Sequence, residues 1–302
     1  MRPRPFSNNP VSAATEVTIP AFVNPGASRV RPALEALNEA PGFEVRQLAP
    51  DDLSAALRDA VSHSVPRVLI AGGDGTVALA ASVLADTPVA LAVLPAGTLN
   101  HFARDHQLPL DPGEALQVAR QGTVRGVDIG YVNRELFVNT SSVGVYVRFV
   151  RTRDRLEPFC GYWLASVLAG LRIINSIRSI RVALHVAGRA EIFTAPLVFV
   201  GIGERKLTLP GLGEPIPGGE PALHVVVPRG RRQARHFMHA YARSREGLPV
   251  ESRLLGLDNV LVDRLRVDLP ARSASVALDG EIRRLSVPLE YRLARGALKL
   301  VC

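Results

Sequence analysis

The chain has 302 residues, of which 47% are hydrophobic and 21% are charged, so it can bury one large globular core or two ordinary ones. The net charge of +8 favours anionic partners, such as nucleotide phosphates, nucleic acid or acidic lipid headgroups, without choosing among them. The two cysteines, Cys160 and Cys302, do not have the spacing of metal ligands, and they are too few for a small secreted domain held by disulfides. The sequence therefore argues against a cysteine-bound metal site and against a disulfide-rich secreted protein.

Neither the N-terminal segment nor the most apolar stretch has the composition of a membrane signal. Residues 1–16 combine prolines with polar residues and predict a disordered arm instead of a secretion signal. The stretch from Phe159 to Ile177 is interrupted by two glycines, an arginine and an asparagine, whereas spanning a bilayer takes roughly 20 mainly apolar residues. We therefore expect a cytoplasmic protein.

Residues 17–123 alternate short β-branched runs with longer helical patterns. Strict alternation of this kind predicts a parallel sheet with helices on both faces. The predicted strands are Val17 to Val23, Phe43 to Leu48, Arg67 to Ala71 and Val89 to Leu94, and the predicted helices are Arg29 to Ala40, Asp51 to Ser62, Thr76 to Ala85, Thr98 to His106 and Pro112 to Arg120.

Residues 124–302 have a different texture, with many short strands separated by turn residues, which predicts an antiparallel β-sandwich. We place the domain boundary between residues 123 and 124, with the alternative that the last strand returns to the first domain. Predicted strands are Val124 to Tyr131, Leu136 to Ser142, Ile180 to Val186, Ala190 to Val200, Leu223 to Val227, Asn259 to Asp268, Ser275 to Leu278, Arg284 to Pro288 and Leu298 to Val301.

The segment Gly72-Gly73-Asp74-Gly75-Thr76 joins a buried strand to a helix. Backbone amides and the helix dipole at such a turn can hold an anion, and the glycines allow close approach. Thr76 is predicted to cap the helix with its hydroxyl, and Asp74 to face phosphates or their Mg²⁺. A tight turn with an N-cap and no ligand is the alternative.

A second turn of this type lies in Leu94-Pro95-Ala96-Gly97-Thr98-Leu99-Asn100-His101-Phe102-Ala103-Arg104. In a parallel sheet this strand ends at the same edge as the first turn, so the two loops should flank one crevice. Taken singly, Thr98 fits an N-cap and Arg104 a solvated helix charge equally well.

The combination of these two motifs resembles the diacylglycerol kinase catalytic domain family of bacterial lipid kinases. Further parts of the resemblance are Phe22-Val23-Asn24-Pro25, Val127-Asp128-Ile129-Gly130, the segment from Phe137 to Gly144, and Leu278-Asp279-Gly280-Glu281. The resemblance covers about residues 19 to 301. GGDGT alone also occurs in NAD kinases, so the pair of motifs is the specific part.

The resemblance implies an ATP- and Mg²⁺-dependent kinase that phosphorylates a hydroxyl of diacylglycerol or a related lipid. It implies a Rossmann-like half that binds ATP, a β-sandwich half that binds lipid, and chemistry in the cleft between them. Glu281 corresponds to the family's general base, and we assign Asp74 as the second catalytic residue. The implied nucleotide site comprises Asn24, Gly72, Gly73, Asp74, Gly75, Thr76, Val77, Ala78, Gly97, Thr98 and Asn100.

Several positions depart from the family pattern. The first loop is Asn24-Pro25-Gly26-Ala27-Ser28, which moves the usual serine by one place, and His101 stands where aspartate is common. The stretch around Glu220 lacks the aspartates that hold a structural Mg²⁺ in some members, so that metal site is predicted to be absent or remodelled. A NAD kinase-like enzyme and a non-catalytic nucleotide or lipid sensor remain alternatives. For Asp279 to Glu281, the sequence by itself favours a simple hairpin turn, and only the resemblance assigns a catalytic role to Glu281.

Two further segments concern contact with a membrane. The helix from Phe159 to Ile177 is predicted either to touch the membrane or to pack on the sandwich. The basic stretch from Arg229 to Arg245 fits contact with anionic lipid or a solvated helix. We expect a lipid substrate, peripheral contact with an anionic membrane and a possible homodimer, but no nucleic acid, because no reader motif is present. The apolar positions of the predicted helix are Trp163, Val167, Leu171 and Ile174.

Overall fold

The computed structural model describes residues 18–174, 179–186, 189–206, 213–228 and 257–302. The predicted arm and the basic stretch from Arg229 to Arg245 lie outside the described residues. The helices are α1 (Val30–Glu39), α2 (Pro50–Ser62), α3 (Asp74–Leu84), α4 (His101–Asp105), α5 (Pro112–Gln121) and α6 (Val145–Ile174). The strands are β1 (Ile19–Val23), β2 (Phe43–Gln47), β3 (Arg67–Gly72), β4 (Ala90–Pro95), β5 (Val124–Val132), β6 (Glu135–Phe137), β7 (Thr140–Gly144), β8 (Ile180–Val186), β9 (Arg189–Ala195), β10 (Leu197–Ile202), β11 (Leu223–Pro228), β12 (Leu257–Val262), β13 (Arg264–Asp268), β14 (Ser273–Leu278), β15 (Glu281–Ser286) and β16 (Leu289–Val301).

The N-terminal half is a parallel α/β sheet in the order β2-β1-β3-β4, as the alternating pattern predicts. Strand β3 shows why its sequence is apolar throughout. Val68 and Ile70 pack against α2 and α3 on one face, while Leu69 and Ala71 pack against α1 and α5 on the other. A parallel strand covered by helices on both faces needs apolar residues at consecutive positions.

The sheet does not end at β4. The C-terminal strand β16 pairs in parallel with β4 at Leu300 and Leu91, and in antiparallel fashion with β5 and β13. Because one ten-stranded sheet runs through β4 and β16 into the second half, the boundary at residues 123 and 124 stays a prediction.

The C-terminal half is antiparallel. A six-stranded sheet in the order β12-β11-β10-β7-β14-β15 packs against β8, β13 and β16 of the first sheet. Alternate residues such as Val198 and Val200 of β10 meet Val182 of β8 and Val267 of β13 in this core. Two antiparallel layers that share one apolar core are a sandwich, which confirms the predicted fold class.

Three runs that were predicted as single strands each form two strands, so these predictions are wrong. The run from Ala190 to Val200 is two strands in different sheets, β9 and β10, separated at Pro196, which has no amide for a ladder. The run from Asn259 to Asp268 divides at Asp263 into β12 and β13, again in different sheets. The run from Leu136 to Ser142 likewise divides into β6 and β7. An apolar alternating pattern does not show where a chain crosses from one layer to the other.

The predicted helix from Phe159 to Ile177 is only the second part of α6, and its start is wrong. The helix begins at Val145 and kinks at Gly161, where φ is 73°. Its first part buries Val145 and Phe149 at i, i+4 spacing against the six-stranded sheet, so packing overrides the β-preference of this valine-rich run. Within the described residues, no helix has the length and apolar character required to cross a bilayer.

Candidate active site

Three loops meet at one edge of the parallel sheet, at the carboxyl ends of β1, β3 and β4. Asn24 follows β1, Gly73 follows β3 and Gly97 follows β4. Parallel strands deliver their following loops to a common edge, so the sequence prediction that the two glycine turns flank one crevice is consistent with this geometry.

The first glycine turn begins α3 earlier than predicted. The N-cap residue is Gly73 and the helix starts at Asp74, so the prediction that Thr76 caps the helix is wrong. Thr76 is buried inside the first turn, and its Oγ1 accepts a hydrogen bond from Nδ2 of Asn24 at 2.9 Å. A Cβ on Gly72 would lie 2.5 Å from Cβ of Thr76, which explains the glycine at that position.

The two glycine turns touch each other. A Cβ on Gly97 would lie 2.6 Å from Cα of Gly73, so the backbones are in direct contact. Asn100 adopts the left-handed conformation (φ 53°); its Oδ1 accepts from the Gly97 amide at 2.8 Å, and its Nδ2 donates to the Gly97 carbonyl at 3.1 Å. The side chain of Asn100 therefore fixes the second turn.

The predicted helix start at Thr98 is also wrong, because α4 begins at His101. Thr98 is exposed, and its Oγ1 lies 3.0 Å from Oγ of Ser28 in the first loop. The displaced serine of that loop thus still reaches the second turn. Of the other predicted positions, Val77 is buried in α3 and Ala78 is half-buried.

Asp74 is held by the helix that follows the second turn. Its Oδ1 accepts a hydrogen bond from the Phe102 amide of α4 at 3.0 Å. Among the described residues, no hydrogen bond to its Oδ2 is formed, so this oxygen is available to a ligand. Burial is the main cause of the raised pKa values of Asp105 and Asp279, and the negative charge of Asp74 adds to both shifts in the same direction.

The segment from Asp279 to Glu281 is a two-residue hairpin between β14 and β15, as its Asp-Gly sequence favours. Both Asp279 (φ 48°) and Gly280 (φ 91°) are left-handed. The carboxylate of Asp279 accepts three amide hydrogen bonds, from the residues that connect β6 and β7. The donors are Val138 at 2.7 Å, Asn139 at 2.8 Å and Thr140 at 2.9 Å. Burial raises the pKa of Asp279 to about 6 in spite of these donors.

This hairpin brings Glu281 to the glycine turn. A Cβ on Gly75 would lie 3.0 Å from Oε1 of Glu281, so carboxylate and loop are in contact. The other oxygen, Oε2, accepts from Nη2 of Arg283 at 2.9 Å, and the Glu281 side chain is 56% exposed. The segment is therefore the hairpin turn that its sequence favours, and it also lies beside the predicted nucleotide loop.

Two charged residues near the site were not identified from the sequence. Arg205 and Asp105 form an ion pair of 2.9 Å, with their side chains only 5% and 16% exposed. Burial raises the pKa of Asp105, while the positive charge of Arg205 acts in the opposite direction. Asp105 directly follows the second motif, but no local pattern points to Arg205, which approaches from β10.

The loop around Glu220 has a different environment. Its amide donates to Oε2 of Glu204 at 3.2 Å, and the residue is exposed. No three His, Cys, Asp or Glu side chains within the described ranges are grouped so that they could hold a metal. The expectation of an absent or remodelled metal site at this loop stays a prediction.

The fold joins a parallel α/β sheet, whose two glycine turns touch each other, to an antiparallel sandwich. Residues 22–132 match the Diacylglycerol kinase catalytic domain family, which confirms the resemblance carried by the motifs. By sequence, this part of the chain is therefore similar to that family.

Curated relatives are named as probable lipid kinases. A protein named "Probable lipid kinase YegS-like" from Pseudomonas aeruginosa is 34% identical over 212 residues, which cover 68% of this chain and 65% of that protein. A protein of the same name from Yersinia pestis is 29% identical over 161 residues, or 51% of this chain and 53% of that protein. The matches therefore span less than two thirds of these relatives.

Solved structures share the fold over nearly the whole chain. A diacylglycerol kinase from Bacillus anthracis superposes with a TM-score of 0.69 at 20% identity and covers 94% of this chain and 96% of its own. Yeast NADH kinase superposes with a TM-score of 0.51 at 13% identity and covers 94% and 82%. At these identities the likeness concerns the fold alone.

Proposed function

We propose that this protein is a lipid kinase that transfers the γ-phosphate of ATP to a hydroxyl of diacylglycerol or a related lipid. The observation that carries the proposal is the contact between Glu281 and Gly75, which places a carboxylate from the sandwich beside the predicted phosphate loop. The family match and the names of the relatives agree with a kinase of this class.

The chemistry divides between the two halves. The amides of the turn from Gly72 to Thr76 and the start of α3 would neutralise the phosphates, since the N-terminus of a helix carries partial positive charge. Glu281 would accept the proton of the attacking hydroxyl as the phosphoryl group moves. The exposure of Glu281 leaves room for an acceptor to approach it, and the ion pair with Arg283 fixes one of its two oxygens.

The donor set fits a hard cation. Asp74 keeps one carboxylate oxygen without a hydrogen bond from the described residues, and Mg²⁺ is bound in kinases by one or two carboxylates together with substrate phosphates. Mg²⁺ held there would screen the phosphate charge. The protein's own contribution is to orient Asp74, which the Phe102 amide does.

The test is transfer of labelled phosphate from ATP to a panel of lipid vesicles that includes diacylglycerols, sphingoid bases and glycerolipids, with NAD as a soluble acceptor. We expect a labelled lipid and no labelled NAD. Glu281→Gln should reduce kcat by roughly 10²-fold or more and leave ATP binding within about 3-fold, because only the proton acceptor is lost.

A matched control is Glu290→Gln, which neutralises an exposed carboxylate on β16 away from the hairpin and should retain wild-type kcat. If the purified protein with Mg²⁺ labels no lipid of the panel, or if it labels NAD instead, the proposed function is wrong. If Glu281→Gln transfers phosphate as fast as the wild type, its role as the base is wrong.

We also propose contact with an anionic membrane, which the second part of α6 supports. Ala165 and Ala169 are buried on one side of this helix, whereas large apolar side chains on the other are exposed. Leu171 is 59% exposed, and Phe159, which lies just before the kink at Gly161, is 87% exposed. The remaining exposed members are Leu164, Val167 and Leu168; the side chains of Trp163 and Ile174 are outside the described set.

Charge favours an anionic bilayer as the occupant of this apolar face. Arg155 and Arg172 border it, both are exposed, and within the described residues neither forms an ion pair. An arginine near an anionic surface contributes about 1 kcal/mol to binding. A helix with an apolar face and flanking cations lies in the membrane interface without crossing it.

Vesicle sedimentation tests this surface. The double variant Leu168→Ser, Leu171→Ser should weaken binding to phosphatidylglycerol vesicles by about 10-fold. Two leucines that enter the bilayer interface contribute a few kcal/mol at most to binding. The matched control is Ile192→Ser, which removes an equally exposed apolar side chain from β9 and should leave binding unchanged. Equal loss in both variants, or equal binding to neutral phosphatidylcholine, would contradict this assignment.

A further inference from the structure

We propose that Arg205 is a positioning residue that holds the nucleotide loops in register with the hairpin of Glu281, a role that rests on the proposed phosphoryl transfer. Arg205 follows β10 and contacts neither Glu281 nor Asp74 directly. Its influence runs through two neighbours, one in each half of the protein.

The guanidinium group joins separate segments. Nη2 donates to Oδ2 of Asp105 at 2.9 Å and to the carbonyl of Asn139 at 3.1 Å. Nη1 donates to the carbonyl of Gly213 at 2.7 Å, and Nε donates to the carbonyl of Ile202 at 3.1 Å. All three nitrogens are used, which only a planar fork can do; a lysine ammonium in the same place would reach a single direction.

Each of two Arg205 partners belongs to a segment that supports a predicted catalytic carboxylate. Asp105 ends α4, and the Phe102 amide of that helix holds Asp74. The amide of Asn139 holds the carboxylate of Asp279, which precedes Glu281 by two residues in the hairpin. Arg205 thus connects the support of Asp74 with the support of Glu281.

The local backbone is shaped around this side chain. A Cβ on Gly201 would lie 2.4 Å from Cδ and 2.5 Å from Nε of Arg205, so only glycine lets the side chain fold back across β10. A buried cation with an ionic partner and three carbonyls is costly to assemble and costly to break. Such an arrangement fixes geometry more than it adds stability.

The first test needs no activity assay. It measures the connection that Arg205 makes between Asp105 and Asn139, which we call the brace. Hydrogen exchange of the Phe102 and Asn139 amides is compared in the wild type, Arg205→Lys and Gly201→Ala. We expect both amides to exchange at least about 10-fold faster in both variants, since their hydrogen bonds lie in the segments that the brace joins. Arg205→Lys keeps the charge opposite Asp105, so that the protein folds. Lys206→Met, next to Arg205 and paired with Glu214 at the surface, is the control and should exchange like the wild type.

The second test separates positioning from a merely structural role. Arg205→Lys should lower kcat by about 10-fold or more while the KM for ATP stays within about 3-fold, because small displacements of Glu281 and Asp74 slow transfer more than they weaken binding. In a Glu281→Gln background the same change should lower kcat by a smaller factor, since there is no base left to misplace and only the support of Asp74 is loosened. A loss of equal size in both backgrounds would indicate general damage and overturn the proposal.

The remaining outcomes are equally decisive. Unchanged exchange at Phe102 and Asn139 overturns the brace, and faster exchange with unaltered kcat overturns its catalytic relevance. If the wild type phosphorylates no lipid, the proposed function fails by itself. In that event faster exchange at both amides still supports the connection through Arg205, and unchanged exchange refutes it.

Discussion

The contact between the two glycine turns gives the sharpest prediction, for the variant Gly97→Ala. The added Cβ would lie 2.6 Å from Cα of Gly73 and 2.8 Å from Oδ1 of Asn100, whereas ordinary contacts begin at 3.4 Å. The turns must therefore separate by about 0.8 Å, and neither neighbour can rotate away, because one is backbone and the other is held by two hydrogen bonds.

The magnitude follows from the displacement. Overpacking of this kind costs about 1–3 kcal/mol of stability, and a shift near 1 Å in a positioned group can cost up to roughly 10²-fold in rate. We expect the Kd for ATP to rise by about 10-fold or more and kcat/KM for lipid phosphorylation to fall at least as much. Titration with a fluorescent ATP analogue and thermal unfolding measure the two effects separately.

The control is Gly170→Ala in α6, where an added Cβ meets nothing within 4 Å. This change should leave ATP binding unaltered and stabilise the helix by about 0.5–1 kcal/mol. Wild-type ATP affinity in Gly97→Ala, with an unchanged melting temperature, would refute the view that the two turns form one nucleotide surface.

Three further predictions concern stability. Thr76→Val should cost about 1–2 kcal/mol in urea denaturation by leaving Nδ2 of Asn24 without its acceptor, whereas Thr76→Ser should be nearly neutral. Burial, with Arg125 and Arg205 nearby, lowers the pKa of His106 to about 4. Its contribution to the free energy of unfolding is therefore complete above pH 6.5 and is lost as the pH falls toward 4, and this dependence of stability on pH should vanish in His106→Gln. Burial raises the pKa of Asp279 to about 6, so its contribution to the free energy of unfolding increases as the pH falls from about 6 to 4. Asp279→Asn should remove this increase. If the same dependence on pH persists in the variant, Asp279 is not its source.

The sequence predicts the parallel half well, because local physics and the fold agree there. Strands such as β3 are apolar on both faces and are followed by a glycine turn, so strand, turn and helix are all encoded within the 18 residues from Arg67 to Leu84. The approximate site follows from the same reasoning, since parallel strands deliver their loops to one edge.

Capping details were missed because they depend on contacts between loops. The hydroxyl of Thr76 is claimed by Asn24, which is 52 residues away, so glycine becomes the N-cap and α3 starts earlier. Asn100 similarly enters the left-handed region to hold Gly97, which delays α4. Neither contact has a local sequence signal.

The antiparallel half was predicted in class but not in connectivity. Layer crossings at Pro196 and Asp263 divide runs with an unbroken apolar pattern, because both layers bury one side of each strand in the same core. Arg205 was missed for a related reason: its partners lie 100 and 66 residues away and are chosen by topology alone.

The strand β16 has a consequence for how the protein unfolds. Since it is hydrogen-bonded both to β4 of the parallel half and to β13 of the sandwich, neither half can lose its sheet without exposing an edge of the other. Calorimetry should therefore show one cooperative transition, and a fragment ending at residue 123 should not fold alone, because β4 would lose its neighbour. The two halves divide the proposed chemistry between them, but we expect them to unfold as a single unit.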